Sequence, residues 1–282
     1  GVSASEIDNT IASENANTLE LSTDNDIIED NLQTSEENEA LASTDYDEAI
    51  AQTDTEVLGA DSAKYSNLAE EISHSGNITL THKNYTYDRG PTINIREANK
   101  VIDGNGAVID MNGSTIRAFI VTASGVTIKN LTIKNSYFNS SQYVGGITGS
   151  SKGQIINCHS SATISGTSNV GGIIGYNDNI VTNCSNSGKV TATSGYVGGI
   201  VGVNMSRQGT INYCSNTGEV SGKDLIGGIL GFGDQTPIIN CYNTGNVNYT
   251  EEAVQAVGAI VGFNNGFYAS ANCYYLEGSC IG

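Results

Sequence analysis

The chain has 282 residues, of which 38% are hydrophobic, with 34 Gly, 2 Pro and no Trp. Glycine at that level without a three-residue period excludes collagen, and so little proline excludes a polyproline stalk. A formal charge of −18 excludes an ordinary nucleic-acid binder.

The charge is unevenly placed. Seventeen of the 30 acids precede residue 62 and the first base is Lys64, so the rest of the chain holds 13 acids against 12 bases. Residues 1–60 are mostly Ser, Thr, Asn, Asp, Glu and Ala. Such a segment cannot bury enough apolar surface to offset its chain entropy, and an acidic, disordered spacer is expected. The opening Gly-Val-Ser-Ala-Ser resembles the region around a signal-peptidase cut, which predicts a leader already removed. No apolar run reaches 18 residues, so no membrane-spanning helix is expected.

The first ordered element is predicted over 61–73. Tyr65, Leu68, Ala69 and Ile72 share one helical face, with Asp61 or Ser62 as the N-cap. A helix here would cap the open end of whatever follows. Over 74–140 come β-branched runs with period-2 alternation, including TINI at 92–95, VID at 101–103, VID at 108–110 and VTIKNLTI at 126–133. The segments DGNG (103–106) and DMNG (110–113) are turns between them.

Internal repetition takes over from residue 141. VGGITG (144–149), VGGIIG (170–175), VGGIVG (197–202), IGGILG (226–231) and VGAIVG (257–262) align with one another. Each is followed by a short apolar strand ending at Cys158, Cys184, Cys214, Cys241 or Cys273, in steps of 26, 30, 27 and 32 residues. A turn follows with Asn186, Asn216 and Asn243, and then a strand with Ile164, Val190, Val220 and Val247. Three short strands per unit, joined by Gly and Asn turns, make one coil of a parallel β-helix. The domain reading is therefore a spacer (1–60), a capping helix (61–73), N-terminal coils (74–140) and five repeat coils (141–282), the last incomplete. The end at Gly282 falls mid-coil, which predicts truncation or a partner on the last coil.

Stacking places equivalent residues about 4.8 Å apart along the axis. Gly145, Gly146, Gly171, Gly172, Gly198, Gly199, Gly227, Gly228 and Gly258 are expected as repeat turns that use tight bends or positive φ. Asn186, Asn216 and Asn243 are expected as a turn ladder, each bonded to the Asn above it. Cys158, Cys184, Cys214, Cys241 and Cys273 form a structural ladder with two readings. They are free thiols in the interior, or axial disulfides such as Cys158–Cys184 or Cys214–Cys241, leaving Cys273 near Cys280.

These motifs carry a resemblance. The V-G-G-I-x-G … I-x-N-C-x-N-x-G-x-V pattern resembles the GLUG-type repeat of large secreted and surface proteins. Residues 61–139 resemble the β-helix opening of adhesin-like surface proteins of methanogenic archaea, through the Tyr-Ser-Asn-Leu helix, NYTY (84–87), VIDGNG (101–106) and VTIKNLTI (126–133). Together they cover 61–282. The resemblance implies an all-β, single-stranded right-handed parallel β-helix of the pectate-lyase type, and an extracellular or cell-surface setting.

Candidate chemistry is sparse. A glycosidase needs two acids roughly 5–10 Å apart beside a cleft. The repeat acids Asp178, Glu219, Asp224, Asp234, Glu251, Glu252 and Glu277 fall at unrelated coil positions. Asp103 and Asp110 are read as turn residues, with Ca²⁺ binding the weaker alternative. His74 is expected in an exposed loop, and neither His82 nor His159 has a Ser or Asp partner at a motif spacing. No catalytic residue, resident metal or cofactor is assigned. The tyrosines Tyr137, Tyr143, Tyr176, Tyr196, Tyr213, Tyr242, Tyr249, Tyr268, Tyr274 and Tyr275 fall in or beside the coils, where an aromatic row would stack on sugar rings. The expected function is attachment to a surface protein or glycan without catalysis, through the loops 149–155, 175–181 and 202–211. The alternatives are a filament assembling through the uncapped C-terminal coil and a polysaccharide lyase or hydrolase.

Overall fold

The computed structural model describes residues 61–207, 209–250, 256–266 and 270–281. The expected acidic spacer lies outside them. Within them the chain winds into a right-handed parallel β-solenoid of about 7 turns with one short helix. Every strand pairing is parallel, and three sheets run along the axis.

The period-2 pattern sets the interior. Ile102, Ile128, Ile155, Val181, Ile211 and Ile238 stack in register on the first sheet, one per turn, all fully buried. Ile174, Val201, Leu230 and Val261 stack likewise on the second sheet, the first three fully buried and Val261 partly so. Each fully buried aliphatic chain contributes about 2 kcal/mol. β-Branched side chains suit these columns because identical neighbours pack flush across the pleat.

The coils are more subdivided than three strands apiece. A complete repeat coil has Ile174–Asn177 on the second sheet, Val181–Thr182 and Ser185–Asn186 on the first, and Val190–Ala192 and Val197–Gly198 on the third. The two third-sheet strands enclose a core of their own, with Val144, Ile164, Val170, Val190, Val197, Val220, Ile226 and Val247, separate from the main one. The strand Ser124–Gly145 runs through the expected boundary at 140/141, so early coils and repeat coils share continuous structure.

The cap helix is Tyr65–Ser73, with Tyr65, Leu68 and Ile72 buried and Ala69 packed beside them. Its N-cap is Lys64 rather than Asp61 or Ser62, because Ser62–Lys64 pairs as a strand with Asn84–Thr86. The first turn is served from outside: the Ser66 N–H and hydroxyl donate to the Asp88 carboxylate at 3.4 and 3.2 Å. An anion there also complements the helix dipole.

Candidate functional site on the repeat coils

The cysteine column extends the aliphatic one. Register places Leu131 under Cys158, then Cys184, Cys214, Cys241 and Cys273 above it in turn. All six cysteines are thiols in the structure. The sulfurs make the same contacts in every coil: Cys184 donates to Thr182 O at 3.3 Å, Cys214 to Asn212 O at 3.3 Å and Cys241 to Ile239 O at 3.2 Å. Burial, reinforced by the neighbouring thiol, pushes Cys184 and Cys214 well above the ordinary thiol range. The bond to Cys214 lifts Cys241 to about 12. Cys280 is not beside Cys273. It stacks on Val247 in the small third-sheet core, whereas Cys273 packs on the main one, so the expected proximity of those two fails.

The expected bend is there, since Gly146, Gly172, Gly199 and Gly228 each stand in one, but the expected positive φ is not. None of Gly145, Gly146, Gly171, Gly172, Gly198, Gly199, Gly227, Gly228 or Gly258 has positive φ. A Cβ on Gly172 would collide with the Gly199 carbonyl and the Asn186 amide, and one on Gly199 or Gly228 with the matching groups one coil on. The Gly-Gly segment therefore passes between the two cores, directly against the Asn column, where only hydrogen fits.

Asn186, Asn216 and Asn243 form a buried amide ladder. Asn186 Nδ2 donates to Asn216 Oδ1 at 2.8 Å, and Asn216 Nδ2 to Asn243 Oδ1 at 2.8 Å. Each also reaches the glycine two residues on, through Gly188 O at 2.8 Å, Gly218 O at 2.7 Å and Gly245 O at 2.9 Å. Their φ values are not positive. Left-handed φ recurs instead at the residues preceding the cysteines, Asn157, Asn183, Asn240 and Asn272, at 50–53°. These make a second, outward ladder, with Asn183 Nδ2 on Asn157 Oδ1 at 2.9 Å and Asn272 Nδ2 on Asn240 Oδ1 at 3.1 Å. The sequence carried its signal, since Asn precedes four of the five repeat cysteines. The third repeat has Tyr213 there, at φ 51°. A third column, Asn177, Asn204, Thr236 and Asn264, closes the second sheet.

Both unassigned histidines acquire partners from distant sequence. His82 Nδ1 lies 3.2 Å from Glu71 Oε1, which also accepts from Tyr85 OH at 2.8 Å and Thr81 Oγ1 at 3.0 Å. Burial opposes ionisation of Glu71, yet these bonds and the Thr81 N–H hold its carboxyl below the usual range. His159 Nδ1 lies 2.7 Å from Ser185 Oγ, one coil above, and burial lowers that imidazole's pKa. His74 is exposed at the helix end.

Asp103, Asp110, Glu219 and Asp234 are occupied locally. Asp103 contacts Lys129 Nζ at 3.0 Å and accepts from Asn130 Nδ2 and Asn105 N, both at 2.9 Å. Asp110 repeats this with Lys134 at 3.3 Å, Asn135 and Asn112. Glu219 pairs with Lys189 at 3.1 Å and Asp234 with Arg207 at 3.4 Å. Among the described residues no three His, Cys, Asp or Glu are grouped to hold a metal. Glu251, Glu252 and Tyr268 lie outside those residues.

The tyrosines divide among the sheets rather than forming one row. Tyr143, on a third-sheet strand, meets Tyr176 of the second sheet edge-on at 5.7 Å; Tyr196, just before the third-sheet strand Val197–Gly198, meets Phe232 of the second sheet at 5.2 Å, and Phe232 stacks on Phe263 at 5.8 Å. Tyr137 and Tyr249 belong to third-sheet strands. On the first sheet Tyr242 and Tyr274 are in register, following their cysteines, with Tyr213 in the coil before. Tyr275 stacks above Asn243.

The family model of the GLUG motif matches residues 166–191. That segment is one full turn of the solenoid, since Thr191 stacks on Ser165 and Ala192 on Gly166. No curated protein matches the sequence. Among solved structures, a crystal structure of a putative immunoglobulin A1 protease from Bacteroides ovatus is similar, at 18% identity and a TM-score of 0.46. The match covers 74% of this chain and 84% of that one.

Proposed function

We propose that this protein is a secreted or cell-surface, adhesin-like β-helix that attaches to other cells or surface glycans and performs no catalysis. The observation that carries this reading is the repeated outer flank. Ser185, Ser215, Tyr242 and Tyr274 recur at one position coil after coil, and an amide ladder holds the neighbouring column in register. Identical spacing along a stiff scaffold suits many weak contacts acting together. The GLUG match and the resemblance of residues 61–139 to adhesin-like surface proteins support the same reading.

The His159–Ser185 pair is the one observation favouring a second, hydrolytic reading. The full chain immobilised on beads tests both. Retention of polysaccharide-coated particles without release of reducing ends or peptide fragments is the expected result. Turnover that disappears in Ser185→Ala would overturn the non-catalytic reading.

A further inference from the structure

The first-sheet flank of the later coils has an unusual composition. Segments 181–187, 211–217, 238–244 and 271–275 contain no charged residue, and their outward positions are Thr, Asn, Ser and Tyr with Ile239 and Ala271. Glu219 and Lys189 at the adjoining turn neutralise each other at 3.1 Å. Apart from Glu277 at the turn beyond Tyr275, such a face carries no net charge to hold an anionic or cationic polymer, and its complement is an uncharged, hydroxyl-bearing one.

Three tyrosines stand on this face. Tyr213 is 61% exposed, Tyr242 48% and Tyr274 69%. The aromatics on and beside the second sheet are paired in ring–ring contacts, although Tyr143 and Phe263 stay 42% and 46% exposed. The three first-sheet tyrosines are in no such ring contact among the described residues, which leaves their apolar surface to solvent. Tyr213 adds a second, independent sign. It occupies the left-handed position that Asn fills in the other repeat coils, at φ 51°. A bulky residue there costs on the order of 1 kcal/mol, and a ring so exposed recovers little of that by packing. Its insertion also interrupts the outward ladder: Asn240 Nδ2 turns to Asn212 Oδ1 at 3.2 Å. Each amide that donates in the ladder through Nδ2 has a second N–H to offer a ligand.

We propose that this flank, centred on Tyr213, Tyr242 and Tyr274, binds a neutral polysaccharide laid along the solenoid axis. The apolar C–H face of a pyranose stacks on each phenol ring, and its hydroxyls bond to the Asn and Ser columns beside them. The three rings span two coil steps, about 10 Å, which calls for several linked sugars. This assignment rests on the attachment reading and names its ligand.

The test is calorimetric titration of the full chain with cellohexaose, mannohexaose and laminarihexaose, with oligogalacturonate as the anionic control. The variant is Tyr213→Asn/Tyr242→Ser/Tyr274→Ser, which installs residues that other coils carry at the same positions and so preserves the fold. Expected are binding of at least one neutral hexasaccharide, none of oligogalacturonate, and at least tenfold weaker binding by the variant at unchanged or higher Tm. Equal binding by the variant would overturn the site while attachment stands. Preference for oligogalacturonate would overturn the ligand class. If the variant instead abolishes a concentration-dependent dimer, the face is a self-contact and the proposal fails. Failure of the wild type to bind any glycan or retain coated particles would remove the attachment reading itself.

Discussion

Asn216 shows how one side chain can organise three neighbours. Its amide accepts from Asn186 and donates to Asn243 and to Gly218 O, all buried. Asn216→Ala leaves Asn243 Oδ1 and Gly218 O without that donor, so a loss of about 2–4 kcal/mol is expected by urea denaturation. A loss below ~1 kcal/mol would mean water replaces the amide. At the cap, Glu71 has a folded pKa below its unfolded value. Its stabilising contribution is therefore complete above the unfolded pKa, about 4.3, and is lost as pH falls through the folded one. Between pH 5 and pH 3 the wild-type Tm should accordingly fall more steeply than that of Glu71→Gln. Parallel curves would deny the carboxylate that role.

The glycine pair is the element most dependent on its surroundings. Gly199→Ala drives a methyl into the Gly228 carbonyl and the Asn216 amide, so a loss of at least ~3 kcal/mol or failure to fold is expected. Thermal melting of this variant beside Gly106→Ala separates crowding from conformation: Gly106 has φ 80° but open space around it. An unchanged Tm in Gly199→Ala would sink the crossing. The cysteine column yields a chemical prediction. Unfolding in denaturant should release six thiols, whereas in the native protein Cys184, Cys214 and Cys241 should be inert because burial and raised pKa values remove the thiolate. Fewer than six after unfolding, without reductant, would reveal axial disulfides. The period of the repeat and the β-branched columns made the solenoid legible from the amino-acid pattern alone. The Gly-Gly motif and Asn186 were equally visible, but their contact was not, because it joins residues 14 apart in sequence across the coil interior. His159 and Ser185 were separated for the same reason: they meet only through coil register. The outward Asn ladder was legible in the residue before four of the five repeat cysteines, with Tyr213 the exception.

On the scale of the whole molecule, the −18 charge describes mainly the segment before residue 62, not the coils. The first-sheet flank between 181 and 275 is uncharged in every outward column named above. Attachment through it should vary less than twofold between about 50 mM and about 0.5 M salt, because screening has nothing to act on. Steep salt dependence would point to charged groups elsewhere. The most direct measurement is affinity against ligand length, using neutral oligosaccharides from two to eight sugars. A flank that repeats along the axis predicts affinity rising with each added sugar until the chain spans Tyr213 to Tyr274, then levelling off. A disaccharide bound as tightly as the octasaccharide would contradict an extended binding flank.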